Sequence, residues 1–306
     1  MSDLSPRVSA DGYRIAINPI QWLASDDGFL DRSKAPPLDD FLAQIKQAGF
    51  PAAVIAIPIG TSLEDYKATF ERARILPGPS YFGIPSPEAE VPLEKTLEEA
   101  KLAGGRQAAL GVKDVFIAVH MPPKLRARVD KPAIGTMFDQ ARLDFIIDQL
   151  GKAAEALKAE GVMPALHPHV GTWIETENET RRTLDAIGPR TLNFGPDSGH
   201  LSWAGADVLG LFRSYKDRIS IMHVKDIRLD IRDAAIAAGK SYPQTALDGL
   251  WVEPGMGNLD IKAMLAELGA GFDGWIVAEV DRPTMPPLES AIVCAKYLRA
   301  LRRPAV

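Results

Sequence analysis

Histidine is the residue type whose placement first suggests chemistry in this sequence. Each histidine lies at or just beyond the end of a short apolar run, and none falls in a segment with helical periodicity. The five residues are His120, His167, His169, His200 and His223. A neutral imidazole can bind a metal ion or accept a proton near neutral pH. A single histidine would most often be a hydrogen-bonded core residue, but five at equivalent positions indicate a shared site.

Two carboxylates occupy comparable positions. Asp197 follows an apolar run in the segment FGPDSGH, and Glu279 ends the run IVAE. A buried carboxylate is costly unless it is paired or bound to a cation. Structural alternatives exist for each residue, because Asp197 could cap a helix and Glu279 could pair with Arg282 or Lys225.

Imidazoles and carboxylates together form a candidate metal site, whose predicted ligands are His167, Asp197, His223 and Glu279. Mixed nitrogen and oxygen ligands favour Mn²⁺, Co²⁺, Fe²⁺ or Zn²⁺ over Ca²⁺. We expect one divalent ion, Mn²⁺ or Co²⁺ first, with Zn²⁺, Fe²⁺ and Mg²⁺ as alternatives. Such a ligand set leaves coordination positions for substrate oxygens, as a catalytic site requires.

The elements that must position these residues alternate regularly. We predict strands at 13–18, 52–57, 81–84, 115–119, 164–166, 192–194, 219–222 and 275–278. The predicted helices cover 38–49, 63–75, 93–105, 137–160, 180–187, 206–215, 260–268 and 288–301. Eight strand–helix pairs predict a single-domain α/β protein with a (β/α)₈ barrel over residues 1–306, in which the strand ends converge on one mouth. Residues 1–12 are expected to form a flexible extension, and 130–136 and 229–253 to form long loops.

Composition excludes several classes of function. The chain has 306 residues, a net charge of −5 and no long basic block, which disfavours nucleic acid and anionic membranes as partners. The single cysteine, Cys294, and the lack of a signal-like N-terminus or a long apolar stretch predict a cytoplasmic protein. The pattern around Cys294 is typical of a buried helix face. The number of copies in the assembly stays open, a homo-oligomer included.

Four motifs in order resemble the xylose isomerase-like TIM-barrel superfamily, which contains sugar phosphate isomerases, epimerases and related lyases. They are Asp197-Ser198-Gly199-His200, His223-Val224-Lys225-Asp226, the turn from Pro254 to Asp260, and Val277-Ala278-Glu279. The resemblance covers essentially the whole chain. It implies metal-ligand roles for Asp197, His223 and Glu279, and contact with substrate oxygens or acid assistance for His200.

One position departs from that family. Where most members carry a ligand glutamate, this chain has His167 in the segment LHPH. The epimerases of the family use two glutamates to remove and return a proton, so the loss of one disfavours that mechanism. The segment HPHVGT and the opening NPIQW are instead similar to the inosose dehydratase branch.

The residues around the expected ligands receive roles in a β-elimination next to a ketone. His169, two residues from His167 on an extended strand, should point to the same side and act as the base; it could instead orient a ligand. Lys225 could neutralise a developing alkoxide or simply pair with a carboxylate. Trp22, His120 and Arg228 are candidate substrate contacts, and Trp22 could equally be an ordinary buried residue.

We therefore expect a metal-dependent lyase acting on a small polyhydroxylated ketone, such as inosose or a 3-keto-glycoside. A ketose isomerase or epimerase is the alternative, and a non-catalytic sugar-binding barrel is a further one. An abasic-site endonuclease of related fold is disfavoured by the negative charge and the small ligand set.

Overall fold

Short strands alternate with helices along the chain. The computed structural model describes residues 5–7, 9, 11–54, 56–58, 60–122 and 124–304. The strands are β1 (Arg14–Asn18), β2 (Ala52–Val54), β3 (Leu76–Gly78), β4 (Ser80–Ile84), β5 (Asp114–Val119), β6 (Met163–Leu166), β7 (Asn193–Phe194), β8 (Ile221–Val224), β9 (Asp226–Ile227), β10 (Trp251–Val252) and β11 (Trp275–Glu279).

The helices lie between these strands. They are α1 (Leu38–Ala48), α2 (Leu63–Ala73), α3 (Leu93–Ala109), α4 (Ala127–Asp130), α5 (Gln140–Ala159), α6 (Glu177–Ala186), α7 (Ser198–Trp203), α8 (Val208–Tyr215), α9 (Leu229–Ala238), α10 (Tyr242–Leu247), α11 (Ile261–Glu267) and α12 (Pro287–Ala300). Short 3₁₀ helices cover Ile20–Leu23, Arg32–Lys34, Pro87–Ala89 and Lys216–Arg218. Among the described residues, no helix is long and apolar enough to cross a membrane.

The parallel strands close into a ring. One run of neighbours is β3-β2-β1-β11-β8, and another is β4-β5-β6-β7. β3 and β4 flank Pro79 and act as one interrupted strand, because proline has no amide hydrogen for the ladder. Parallel bridges from Phe194 to Ile219 and from Asp197 to His223 join β7 to β8. Eight strand positions therefore surround the axis, which confirms the predicted barrel.

The barrel interior provides an apolar floor below the strand ends. Small buried side chains such as Ala16, Ala165 and Val277 fill the centre together with Phe116. The Phe116 ring stacks on His223 at 3.9 Å between centroids and meets His167 edge-on at 5.5 Å. The histidines at the mouth are thus supported from below by a rigid aromatic side chain.

Helix α5 shows how sequence pattern places the outer layer. Its buried residues, Leu143, Ile146, Leu150 and Leu157, recur at helical spacing and form the face turned to the barrel. The side chain of Asp139 caps its first turn by accepting from the amide of Arg142 at 2.7 Å. The predicted helix at 137–160 is therefore confirmed, with its first turn beginning a few residues later.

Two sequence predictions differ from the structure. The predicted loop at 229–253 is wrong, because it contains α9, α10 and the antiparallel pair β9–β10. A capping box between Ser241 and Gln244 starts α10, a signal that the periodicity analysis overlooked. The expectation that no histidine lies on a helix is also wrong for His200, which sits in the first turns of α7.

Part of the N-terminal segment contacts the barrel. The amide of Ile15 donates to the carbonyl of Pro6 at 3.0 Å, and Arg7 forms an antiparallel bridge with Arg14. The rest of the expected flexible extension includes residues 1–4, 8 and 10, which lie outside the described residues. Flexibility at residues 1–12 stays a prediction. Cys294 is buried, as its helix-face pattern predicts.

A buried ion-pair network fixes the loop after β6, which carries His169. The guanidinium of Arg128 donates to both oxygens of Glu179, at 2.9 and 2.5 Å, and to the carbonyl of Thr172 at 3.2 Å. The Glu175 carboxylate accepts from the amides of Ala133, Gly135 and Gly171. These contacts join the 127–136 segment to the loop at 171–175.

Replacing Arg128 by alanine should destabilise the protein strongly, because it leaves two buried carboxylates without their cation. We expect a loss of about 3–5 kcal/mol in the free energy of unfolding. The control is Arg213→Ala, which removes an exposed ion pair with Glu267 and should cost at most about 1 kcal/mol. Urea unfolding followed by circular dichroism measures both, and equal effects would contradict this account of the network.

Candidate metal centre

Three side chains converge at the carboxyl ends of β7, β8 and β11. The Nδ1 atom of His223 lies 3.6 Å from Oδ2 of Asp197, and its Nε2 atom lies 3.3 Å from Oε2 of Glu279. One ligand atom from each residue falls within 4.8 Å of the others, and all three residues are buried. This spacing suits donors that surround a single ion.

Asp197 has two separate tasks. Its Oδ1 atom accepts from the amide of His200 at 2.8 Å and so caps α7. Its Oδ2 atom is directed instead toward His223, at the point where the chain crosses from β7 to β8. The capping alternative from the sequence is therefore correct for one oxygen, while the other remains available to a cation.

Several buried polar atoms at this point support the presence of an ion. Within the described part of the chain, Oδ2 of Asp197, both ring nitrogens of His223 and Nδ1 of His167 have no hydrogen-bond partner. Leaving such atoms buried and unsatisfied is costly. A divalent cation would satisfy them together, and the mixture of nitrogen and oxygen donors fits Mn²⁺, Co²⁺, Fe²⁺ or Zn²⁺.

Lys225 brings a fully buried positive charge into the same cluster. Its Nζ atom lies 2.6 Å from Oε1 of Glu279, 2.5 Å from Oδ2 of Asp281 and 3.5 Å from Oδ2 of Asp197. Burial opposes its charge, but these three carboxylates outweigh burial and hold the pKa of Lys225 well above its ordinary value. The ammonium form of Lys225, which can only donate hydrogen bonds, is therefore favoured in this cluster.

Burial and the neighbouring charges also shift the pKa values of the carboxylates in this cluster. Burial alone would raise the pKa of Glu279, but His223 and Lys225 lower it to about 2. Asp197 is likewise ionised, since Lys225 and His200 overcome its burial and hold its pKa well below its usual range. Burial raises the pKa of Asp281 to about 6, and Lys225 only partly opposes this. When all three carboxylates are ionised around one ammonium, two negative charges remain, which is the charge that a divalent ion neutralises.

His167 lies at the edge of this cluster. Its ring centroid is 4.8 Å from that of His223 and 6.0 Å from that of His200. A ligand nitrogen of His167 groups with Asp197 and His200, and ligand atoms of His223 and Glu279 form a second group with Asp197. Asp197 is thus the member common to both groups. The ligand role of His167 remains a prediction.

His169 and His200 stack beside the cluster, with ring centroids 3.7 Å apart. Nδ1 of His169 lies 2.7 Å from the carbonyl oxygen of Val170, so this nitrogen carries the proton and Nε2 is left with its lone pair. Burial and the charge of Lys225 lower the pKa of His169 to about 4. His200 sits behind it, with Nε2 at 3.2 Å from Nζ of Lys225.

Three predicted substrate contacts lie elsewhere. The indole of Trp22 donates to Oε1 of Gln44 at 3.0 Å and packs edge-on against Phe41. The ring of His120 fills the space beside Gly83, and Arg228 precedes α9 near Gly249. The structure does not bring these three side chains to the cavity that the candidate ligands line.

Two polar residues of the site escaped the sequence analysis. Asp281 follows Glu279 by two residues, and Asn18 ends β1, from where its side chain donates to Oε2 of Glu279 at 2.5 Å. The two-residue spacing that placed His169 beside His167 applies equally to Asp281. Asn18 could have been identified as a polar residue at the end of a predicted strand.

One cavity of about 390 Å³ opens onto the cluster, and His167, His169 and Glu279 line one end of it. A second cavity of about 230 Å³ lies against the other side of His169, where Tyr242 and Asp281 contribute to its wall. Both cavities are in contact with His169, so a molecule bound in either cavity would lie against this residue.

Comparison with known proteins agrees with the barrel fold. A family model described as xylose isomerase-like TIM barrel matches residues 15–301. An inosose dehydratase of Geobacillus kaustophilus is 25% identical over 298 residues, which is 94% of this chain and 94% of that protein. An inosose dehydratase of Salmonella typhimurium is 34% identical over 167 residues, about half of each chain at 54% and 56%. The zinc-bound crystal structure of the IOLI protein superposes with a TM-score of 0.64 at 19% identity, over 92% of this chain and 95% of that one.

Removal of a candidate ligand should abolish metal binding. We expect about one ion per chain in the Mn²⁺-loaded protein, and at least ~100-fold weaker binding in His223→Ala, because loss of a residue that merely supports a ligand already costs ~10–100-fold. His167→Ala tests the fourth ligand in the same way, and His120→Ala is the control. Metal content after gel filtration measures all three. Unchanged content in His223→Ala would contradict the proposed centre.

Proposed function

Because the chain belongs to the xylose isomerase-like TIM-barrel family, we propose that it is a metal-dependent lyase that dehydrates a keto-cyclitol or eliminates from a keto-sugar. The observation that carries the proposal is the position of His169. His169 lines the cavity that Glu279 and His167 also line, and its Nε2 atom is left without a proton. The full-length similarity to an inosose dehydratase supports the same reaction class.

The ligands Asp197, His223 and Glu279, with His167 as the fourth, would hold a divalent ion beside the substrate. Such an ion would polarise the ketone and so acidify the neighbouring C–H bond. This role needs no carboxylate base. It is therefore compatible with a histidine at position 167, where most of the family would carry a glutamate.

His169 is suited to remove the α-proton. The hydrogen bond from its Nδ1 to Val170 fixes the tautomer and the ring orientation, which leaves Nε2 as the acceptor. The electron pair of the broken C–H bond then forms a double bond conjugated with the ketone, and the electrons of the β-carbon C–O bond leave with the hydroxyl. The departing hydroxyl recovers one proton, so the net products are the unsaturated ketone and water.

Lys225 and His200 would support this step from behind. The ammonium of Lys225 orients Glu279 through the 2.6 Å contact and adds positive potential where negative charge develops on the substrate. His200 packs on His169 and borders neither described cavity, so its position fits orientation of the base better than contact with substrate oxygens.

The reaction is tested by incubating the Mn²⁺-loaded protein with scyllo-inosose and with methyl 3-keto-β-glucoside. We expect an ultraviolet-absorbing enone, and loss of its formation after chelation of the metal, with recovery when Mn²⁺ is restored. Exchange of the α-hydrogen with solvent deuterium, without enone, would instead favour the isomerase or epimerase alternative. If none of these ketones gives either the enone or hydrogen exchange, the proposal is wrong.

The role of His169 is tested by His169→Ala. Because a positioned base contributes typically ~10²–10⁴-fold, kcat should fall by about that factor while the metal content stays unchanged. Added imidazole should restore part of the rate if the missing group is the base. A variant that keeps its rate, or that loses its metal together with its rate, would contradict this assignment.

A further inference from the structure

The 390 Å³ cavity differs in character between its two ends. The inner end carries the polar groups of the site, with Asn18, His167 and Glu279 among them. The cavity then continues between the barrel and the first two helices, where Ala53, Leu42 and Phe70 belong to its wall. These last residues come from β2, α1 and α2, and they are buried.

The outer end has few partners for hydroxyl groups. The phenolic oxygen of Tyr66 accepts from the amide of Ala56 at 3.1 Å, which leaves its O–H as the hydrogen-bond donor that Tyr66 can offer a ligand. Other walls there are hydrocarbon, such as Ile45, or aromatic, such as Phe41. Burying a hydroxyl against such a surface without a hydrogen bond is unfavourable. A cyclitol with oxygen on every carbon would therefore match the inner end and not the outer one.

The size of the cavity also favours a ligand larger than a cyclitol. Cavities of roughly 300–1,000 Å³ take ligands of drug-like size, and this one lies within that range. A ligand that fills both ends must combine a polyhydroxylated ketone with an apolar group attached to it. A keto-sugar joined through oxygen to a hydrophobic alcohol has this composition.

We propose that the apolar end of the cavity, lined by Leu38, Phe41, Leu42, Ile45, Ala53 and Phe70, binds the hydrophobic aglycone of a 3-keto-glycoside. This rests on the proposed lyase function. His169 takes the proton from C2, the C1–O bond to the aglycone breaks, and a C1=C2 double bond forms in conjugation with the C3 ketone. The proton is returned to the departing oxygen, so the products are the unsaturated keto-sugar and a neutral alcohol.

The test compares methyl and hexyl 3-keto-β-glucosides. Both release a simple primary alcohol and yield the same unsaturated sugar, so the leaving group and the readout are matched. Each methylene that leaves water should strengthen binding about fourfold. We expect KM for the hexyl compound to be at least ~10-fold lower. Equal KM values for the two, with enone formed from both, would overturn the proposal and leave the lyase function standing.

Two variants place the effect in this cavity. Ala53→Leu fills the space beside β2, and Leu38→Gln puts an amide on the half-buried rim, which guards against a folding defect in the first variant. Either should remove most of the preference for hexyl over methyl while the methyl compound is still converted. Ala266→Leu, on an exposed face of α11, is the control and should keep the preference. If both cavity variants fold and still prefer the hexyl over the methyl compound as strongly as the unmodified protein does, the proposal is wrong. Absence of enone from inosose and from both glycosides would refute the lyase function itself.

Discussion

The ammonium of Lys225 is the charge on which the arrangement of the mouth depends. It is fully buried, and carboxylates of Glu279 and Asp281 lie within 2.6 Å of it. Acidic side chains cannot gather in a dry site unless positive charge is supplied. One ammonium compensates only part of the three carboxylates, so the fold leaves a deficit that suits a divalent ion. The lysine thus sets both the geometry and the charge of the candidate centre.

The parts that sequence could predict follow from backbone periodicity. Parallel strands end at one side of a barrel, so Asp197, His223 and Glu279 had to meet once eight strand–helix pairs were recognised. The two-residue period of an extended chain also placed His169 and Lys225 correctly toward the cluster. Asp281 follows the same two-residue period. It was missed because it stands in a proline-rich segment, which is not typical of a strand.

Side chains outside the regular strands were less predictable, because their direction depends on contacts that periodicity does not encode. Trp22 follows the first strand but belongs to a 3₁₀ turn, whose geometry turns the indole toward Gln44. The 229–253 segment looked irregular because α9 buries little of its own surface, with Ala235 as its buried residue. Its stability comes from neighbours such as Tyr242 and Trp251 in a second apolar cluster.

A histidine at position 167 changes how the reaction can be divided among residues. In a site with two glutamate ligands, the same groups could bind the ion and move protons. In the proposed reaction, proton transfer passes to His169, which is held by Val170 and by the loop that the Arg128 network fixes. The charged groups of the candidate centre and the apolar part of the cavity also lie on different elements. The charged groups lie at β7, β8 and β11, and the apolar part of the cavity lies at β2, α1 and α2. In the proposed elimination, a leaving group in that cavity would depart into hydrocarbon surroundings, where an alkoxide is unstable. Return of the proton from His169, which borders the same cavity, is therefore the step that makes such a leaving group acceptable.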